Sequence, residues 1–154
     1  MFPLNEIIET GSWLRVDVEG DPKRSFQFRP TSFSKIDMSE VDNPEKLDEI
    51  DINSNIWLLN LDIINLSKRE YSSIDFTSVI YILDEDSCAF SIITDSHLML
   101  SSKFAKVSGL NKFFCVNLRP KIGKSVAIAY QLPDFFDQLF FDAQYYEGCN
   151  ISVV

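Results

Sequence analysis

The sequence predicts a mainly β protein: an antiparallel β-sandwich with an N-terminal hairpin extension and one or two short helices. Three observations predict it. In Ile56–Leu66 (IWLLNLDIINL), Trp57, Leu59, Leu61 and Ile63 fall on one side, and Asn60 and Asp62 interrupt the other. That two-residue period is the mark of a strand with one face in a core. Ser125–Leu132 repeats it, with Val126, Ile128, Tyr130 and Leu132 inward and Ser125, Ala127, Ala129 and Gln131 outward. The remaining apolar runs are short and separated by turn chemistry, a spacing that suits a sandwich and not strands alternating with helices.

The other elements follow in chain order. Ser12–Val18 alternates through Leu14, Val16 and Val18; Gly20-Asp21-Pro22-Lys23 turns the chain; Phe26 and Phe28 alternate in Ser25–Arg29. This reads as a hairpin. Asp37–Asp51 breaks the pattern, with seven acidic residues against Lys46 and a net charge of −6. It is consistent with a short helix from Pro44 through Leu47 and Ile50, and equally with an acidic loop. After Ile56–Leu66, Ser67–Ser73 turns the chain, and Phe76–Leu83 is apolar on both faces, as in a central strand. Asp84-Glu85-Asp86-Ser87 is a tight turn into Cys88, Phe90 and Ile92. Ser101–Gly109 is the best helix candidate, with a serine cap and a terminal glycine. Phe113–Val116 is extended, Leu139, Phe141, Ala143 and Tyr145 share one row, and Ile151–Val154 is a last edge strand.

A chain of 154 residues, 45% hydrophobic and 13% aromatic, is one globular domain with enough apolar side chains for a core. Residues 1–55 supply the hairpin and acidic insertion and 56–154 the sandwich core. From Trp57 on, the order of signals resembles a bacterial immunoglobulin-like β-sandwich domain of unknown function. The counterparts are Asp62-Ile63-Ile64-Asn65 closing a strand, Leu83-Asp84-Glu85-Asp86 at an acidic turn, Leu118-Arg119-Pro120-Lys121, and Ala127–Pro133. Lys121 stands where that pattern has a glycine. The resemblance implies an immunoglobulin-like fold and no activity, because that fold hosts many functions.

No residue set specifies a chemistry. His97 is the one histidine, and Asp95-Ser96-His97 places its types on alternating faces, where no triad forms by adjacency. Cys88, Cys115 and Cys149 are odd in number and unpaired in spacing, so buried, reduced thiols are expected. The Asp84–Asp86 turn lacks the ligand spacing of a calcium hand. Gly123-Lys124-Ser125 lacks the first glycine of a phosphate loop and reads as a turn entering a strand. The chain is therefore read as non-enzymatic, without metal or cofactor.

Charge carries the remaining signal. The net charge is −9. It opposes direct nucleic-acid binding and suits a basic protein partner. It is also sorted by region: six basic and no acidic residues lie in Lys103–Lys124, and four acidic and no basic ones lie from Asp134 on. Phe135-Phe136 forms an apolar pair beside that acidic stretch. With no signal peptide and no membrane-length apolar run, the expectation is a cytoplasmic immunity protein, monomeric or weakly dimeric. It would neutralise a basic toxin domain of the contact-dependent inhibition type, a nuclease by preference. The expected contact residues are Asp42, Glu45, Asp48, Glu49 and Asp51, with a generic assembly module pairing through sheet edges as the alternative.

Overall fold

The computed structural model describes residues 1–18, 21–37, 39, 41–42, 53–75, 80–93, 99–100, 115–143 and 149–154. Its elements are β1 (Phe2–Pro3), α1 (Leu4–Thr10), β2 (Leu14–Val18), β3 (Asp21–Lys35), β4 (Val41–Asp42), β5 (Ser54–Asn65), β6 (Tyr71–Asp75), β7 (Ile80–Leu83), β8 (Met99–Leu100), β9 (Cys115–Leu118), β10 (Gly123–Pro133), β11 (Phe140–Ala143) and β12 (Cys149–Val153). A five-stranded sheet has the order β10-β5-β3-β2-β12, and a three-stranded sheet the order β1-β11-β7. Every pairing in them is antiparallel. The pairs β4-β8 and β6-β9 stand apart.

β5 is the middle of the large sheet. It pairs with β10 from Ile64↔Gly123 to Ser54↔Pro133, and with β3 from Asn65↔Phe26 to Trp57↔Lys35. The expected period holds: Leu59, Leu61 and Ile63 enter the core with Val126, Ile128, Tyr130 and Leu132 of β10 and Phe26 and Phe28 of β3. Ile80, Ile82, Phe141 and Ala143 of the small sheet meet them from the other side, and Leu4 and Ile7 of α1 join the same cluster. The buried Tyr130 hydroxyl donates to the Ile80 carbonyl at 3.3 Å, a polar tie between the two sheets. Burial pushes its pKa well above the ordinary tyrosine value.

The chain itself joins the sheets. After β7 and the Asp84 turn it returns beside β7, with Phe90 N–H donating to Ile82 O at 2.9 Å. Immediately beyond, it pairs with β10: Gln131 N–H donates to Ser91 O and Ile93 N–H to Ala129 O, each at 2.9 Å.

Four elements differ from the sequence expectation. The N-terminal hairpin is not an extension, because β3 lies hydrogen-bonded between β5 and β2 inside the large sheet. β3 also runs past Arg29, where Pro30 signals an end. A register shift between Pro30 and Ser32 sets Thr31 aside, and its hydroxyl donates to Asn60 O at 3.1 Å. A bulge of this kind lets a central strand carry a proline. α1 was not expected. Leu4 and Ile7 bury one face, and Gly11 closes the helix at φ 63°, with Gly11 N–H and Ser12 N–H capping the Ile8 and Ile7 carbonyls at 3.2 Å. Only glycine takes that backbone without strain. The chain also leaves its turn at Tyr71, where β6 begins, earlier than the expected Ser73. The helix candidate Ser101–Gly109 lies outside the described residues.

The outer face of the large sheet is divided. Toward the Trp57 end, Ile36, Ile56, Leu58, Ala127 and Ala129 are buried, although the two alanines were expected to face outward into solvent. Toward the Asn65 end runs a polar row. Ser125 Oγ donates to Asp62 Oδ1 at 2.6 Å, Arg29 Nη2 donates to Asp62 Oδ2 at 2.6 Å, and the Arg29 guanidinium lies 4.6 Å from the centre of the Trp13 ring. Partial burial raises the Asp62 pKa, but the Ser125 hydroxyl and the Arg29 guanidinium outweigh it and hold the carboxyl below its ordinary value.

Asn65 ends β5 fully buried and fully bonded. Its amide donates to Arg69 O at 2.7 Å and Leu118 O at 3.1 Å, and its Oδ1 accepts from the backbone N–H and hydroxyl of Ser67. Its own carbonyl accepts from Lys121 N–H at 2.8 Å. Lys121 holds φ 63°, a left-handed backbone that glycine adopts without strain.

Asn65→Ala strands the Leu118 carbonyl and the Ser67 amide and leaves the Arg69 carbonyl to the Ser67 hydroxyl alone. It should cost about 3 kcal/mol in urea unfolding. Lys121→Gly relieves a left-handed strain of about 1–2 kcal/mol against a glycine entropy cost of about 0.5–1 kcal/mol, so it should raise stability by about 0.5–1 kcal/mol. Because the folded Asp62 pKa lies below the unfolded value of about 3.9, its contribution is complete above that pH and is lost as pH falls through the folded value. The urea midpoint of Asp62→Asn should therefore decline less between pH 5 and pH 3 than that of the parent.

Candidate acidic and aromatic surface

One end of the sandwich brings together two segments 49 residues apart in the chain: the Asp84–Asp86 turn and the loop from Pro133 to Leu139. They line a cleft of about 220 Å³ together with Phe90.

Each segment is held by its own chemistry. In the turn, Asp84 Oδ1 accepts from Asp86 N–H at 2.9 Å and Cys88 N–H at 2.8 Å, and Asp84 N–H donates to Cys88 O at 3.0 Å. Aspartate at the head of a turn acts in this way because its short carboxylate reaches the amide two residues on. The Asp84 carboxylate is spent on the turn; Glu85 and Asp86 are exposed. Cys88 is exposed as well, against the expectation of a buried thiol, because the turn projects beyond β7.

The loop follows β10 and is pinned at both ends. Asp134 N–H donates to Asn53 O at 3.2 Å, Asn55 Nδ2 donates to Asp134 Oδ1 at 2.7 Å, and Leu4 N–H donates to Leu139 O at 2.9 Å. Between these ties the two phenylalanines part company. Phe136 sets its ring edge-on against Trp57 at 5.2 Å, and Trp57 stacks on Phe33 at 5.1 Å. Phe135 is 92% exposed. Trp57, on the core-facing row of β5, is partly buried against the core cluster and serves as the seat of this loop.

The surface that results has an exposed phenyl ring and the carboxylates of Glu85, Asp86, Asp134 and Asp137, with Asp84 behind them. Neither segment contains Lys or Arg. Chemically it offers negative potential and one apolar anchor; it presents no nucleophile paired with a base. Among the described residues, no three His, Cys, Asp or Glu side chains come together in a metal-binding arrangement, and no helix is long and apolar enough to cross a membrane.

Of the residues expected to make the contact, Asp42 alone falls among the described residues. Asp42 belongs to β4, whose backbone pairs it with Met99. Glu45, Asp48, Glu49 and Asp51 lie outside the described residues, as do His97, Lys103, Lys106 and Lys112. Gly123-Lys124-Ser125 opens β10, where Ser125 serves Asp62. The acidic turn and the Phe135-Phe136 pair were each visible in the sequence, but nothing in it marked them as neighbours, since their meeting depends on β7 and β10 being bridged by residues 89–93.

No protein-family model matches the chain, and no curated protein matches it. A comparison with solved structures finds the yjhA protein from Bacillus subtilis, 10% identical, with a TM-score of 0.46, covering 71% of this chain and 67% of that one. A likeness of that degree transfers no function and no detail of topology.

Proposed function

We propose that this chain is a non-enzymatic binding protein that takes a basic protein partner at the surface formed by Glu85, Asp86, Asp134, Phe135 and Asp137. The observation that carries the proposal is Phe135: a 92% exposed ring among carboxylates, on a loop held at both ends. Burying a phenylalanine side chain on docking contributes about 1.5–3 kcal/mol, the size of an interface anchor. The carboxylates around it speed encounter with a cationic partner and disfavour acidic ones.

The biological form this reading favours is a cytoplasmic immunity protein on an immunoglobulin-like scaffold, working without a cofactor. Its partner is a basic toxin domain, a nuclease of the contact-delivered kind, whose phosphate-attracting cleft an acidic surface can occupy. Small size, a net charge of −9 and the lack of a catalytic set in the sequence support that form. Asp42, Glu45, Asp48, Glu49 and Asp51 remain candidate contact residues in the same reading.

The test is calorimetric titration with a basic toxin C-terminal domain, where one is encoded beside this chain in its genome. Phe135→Ser combined with Asp134→Lys and Asp137→Lys should weaken binding at least 100-fold and flatten its salt dependence. Reversal of the five carboxylates Asp42, Glu45, Asp48, Glu49 and Asp51 measures their contribution separately. Unchanged affinity in the first variant removes this end as the contact, and a genome without such a neighbouring domain removes the immunity form.

A further inference from the structure

β12 is the outermost strand of the large sheet, at the opposite edge from β10 and the acidic surface. Its pairing with β2 shows which of its amides are in use. Val154 N–H donates to Trp13 O at 2.9 Å, and the register runs Val153↔Leu14, Ser152↔Arg15, Ile151↔Val16, Asn150↔Asp17 and Cys149↔Val18. In an antiparallel ladder, hydrogen-bonded and non-hydrogen-bonded pairs alternate. Ser152 and Asn150 therefore turn their amides toward β2, like Val154, whereas Cys149, Ile151 and Val153 turn theirs to the outer edge. Among the described residues, none pairs with that edge. Ser152 is exposed, Val153 is 54% exposed and Val154 67%.

An open edge is normally guarded by a charged side chain, a proline or a bulge. β12 has none of these: it reads Cys-Asn-Ile-Ser-Val, and its register with β2 runs without a shift. The omission stands out in a chain of net charge −9, in which most of the surface repels a second copy. A strand without charge, with three outward amides and carbonyls on alternate residues, is self-complementary. Two copies related by a two-fold axis through Ile151 would set Ile151 opposite Ile151 and Val153 opposite Cys149. That register forms about six backbone hydrogen bonds and joins the two large sheets into one.

We propose that β12 is the homodimer edge of this protein, two copies pairing antiparallel about Ile151. β10, which leads into the acidic loop, lies four strand spacings from β12, roughly 19 Å across the sheet. The two surfaces have opposite salt responses: backbone pairing between like-charged copies strengthens as salt screens their repulsion, while a contact between an acidic face and a basic partner weakens.

Light scattering on the whole chain at about 100 µM, in low salt and in 1 M NaCl, reads the proposal, with Cys88→Ser as background to exclude the exposed thiol. The expected result is twice the monomer mass, favoured by salt. Val153→Lys, which keeps every bond to β2 and adds a charge at the edge, should weaken the dimer at least tenfold without lowering the melting midpoint. A monomer at both salt concentrations, or a Val153→Lys protein that still dimerises, overturns the proposal.

Discussion

β5 is hydrogen-bonded along both of its sides for nearly its whole length, and the rest of the molecule is arranged around that constraint. A strand flanked on both sides cannot slip by one residue without turning Leu59, Leu61 and Ile63 out of the core and Asn60 and Asp62 into it. The register is thus set by burial, and it carries the ends with it. At one end Asn65 satisfies a buried corner, drawing residues 66–69 and 118–121 together through its side-chain and main-chain bonds. At the other, Asn53 and Asn55 reach the residue that follows β10 and so begin the Phe135 loop. The candidate surface owes its position to the same ladder that forms the core.

The fold was legible where side-chain alternation coincides with burial on one face. β5, β10, the Leu139-Phe141-Ala143 row and the β2–β3 hairpin all show that pattern, and β12 was marked as an edge by its place after the last turn. Legibility failed where tertiary context overrode a local rule. Pro30 marks a strand end, yet a bulge carries β3 five residues further. Leu4 and Ile7 are too few to show a helical period, and α1 forms because the core beneath it has room for both. Ala127 and Ala129 alternate as an outward row and are buried all the same. The candidate surface was legible in its parts only. An acidic turn and a pair of phenylalanines are ordinary surface and core features one at a time; their adjacency is a product of strand order, which alternation does not encode.

Charge and hydrogen bonding divide the surface between them. On the outer face of the large sheet, the charged groups are consumed internally: Arg29 spans Asp62 and the Trp13 ring, and Arg15 spans Asp17, which also accepts from Ser25 at 2.6 Å. Pairs of this kind satisfy each other and leave little net potential. At the acidic end the carboxylates have no cation in their own segments, so their potential extends into solvent. β12 itself has no charged side chain, and backbone groups are what an approaching chain would meet along it. One −9 protein thus presents a neutralised face, an electronegative end and an uncharged edge.

The behaviour of two adjacent phenylalanines bears most directly on function. A loop displaying an aromatic ring ordinarily loses conformational entropy when a partner fixes it, and that loss subtracts from affinity. Here much of the ordering is complete before any partner arrives. Phe136 is seated on Trp57, Asp134 is tied to Asn53 and Asn55, and Leu139 accepts from Leu4, so Phe135 projects from a short span between fixed points. An exposed ring on a mobile tail would fold back onto apolar surface. On this loop it cannot, because its neighbour already occupies the nearest aromatic seat. The exposure of Phe135 is therefore a consequence of the burial of Phe136, and the same packing that closes the end of the sandwich holds an apolar anchor out among carboxylates.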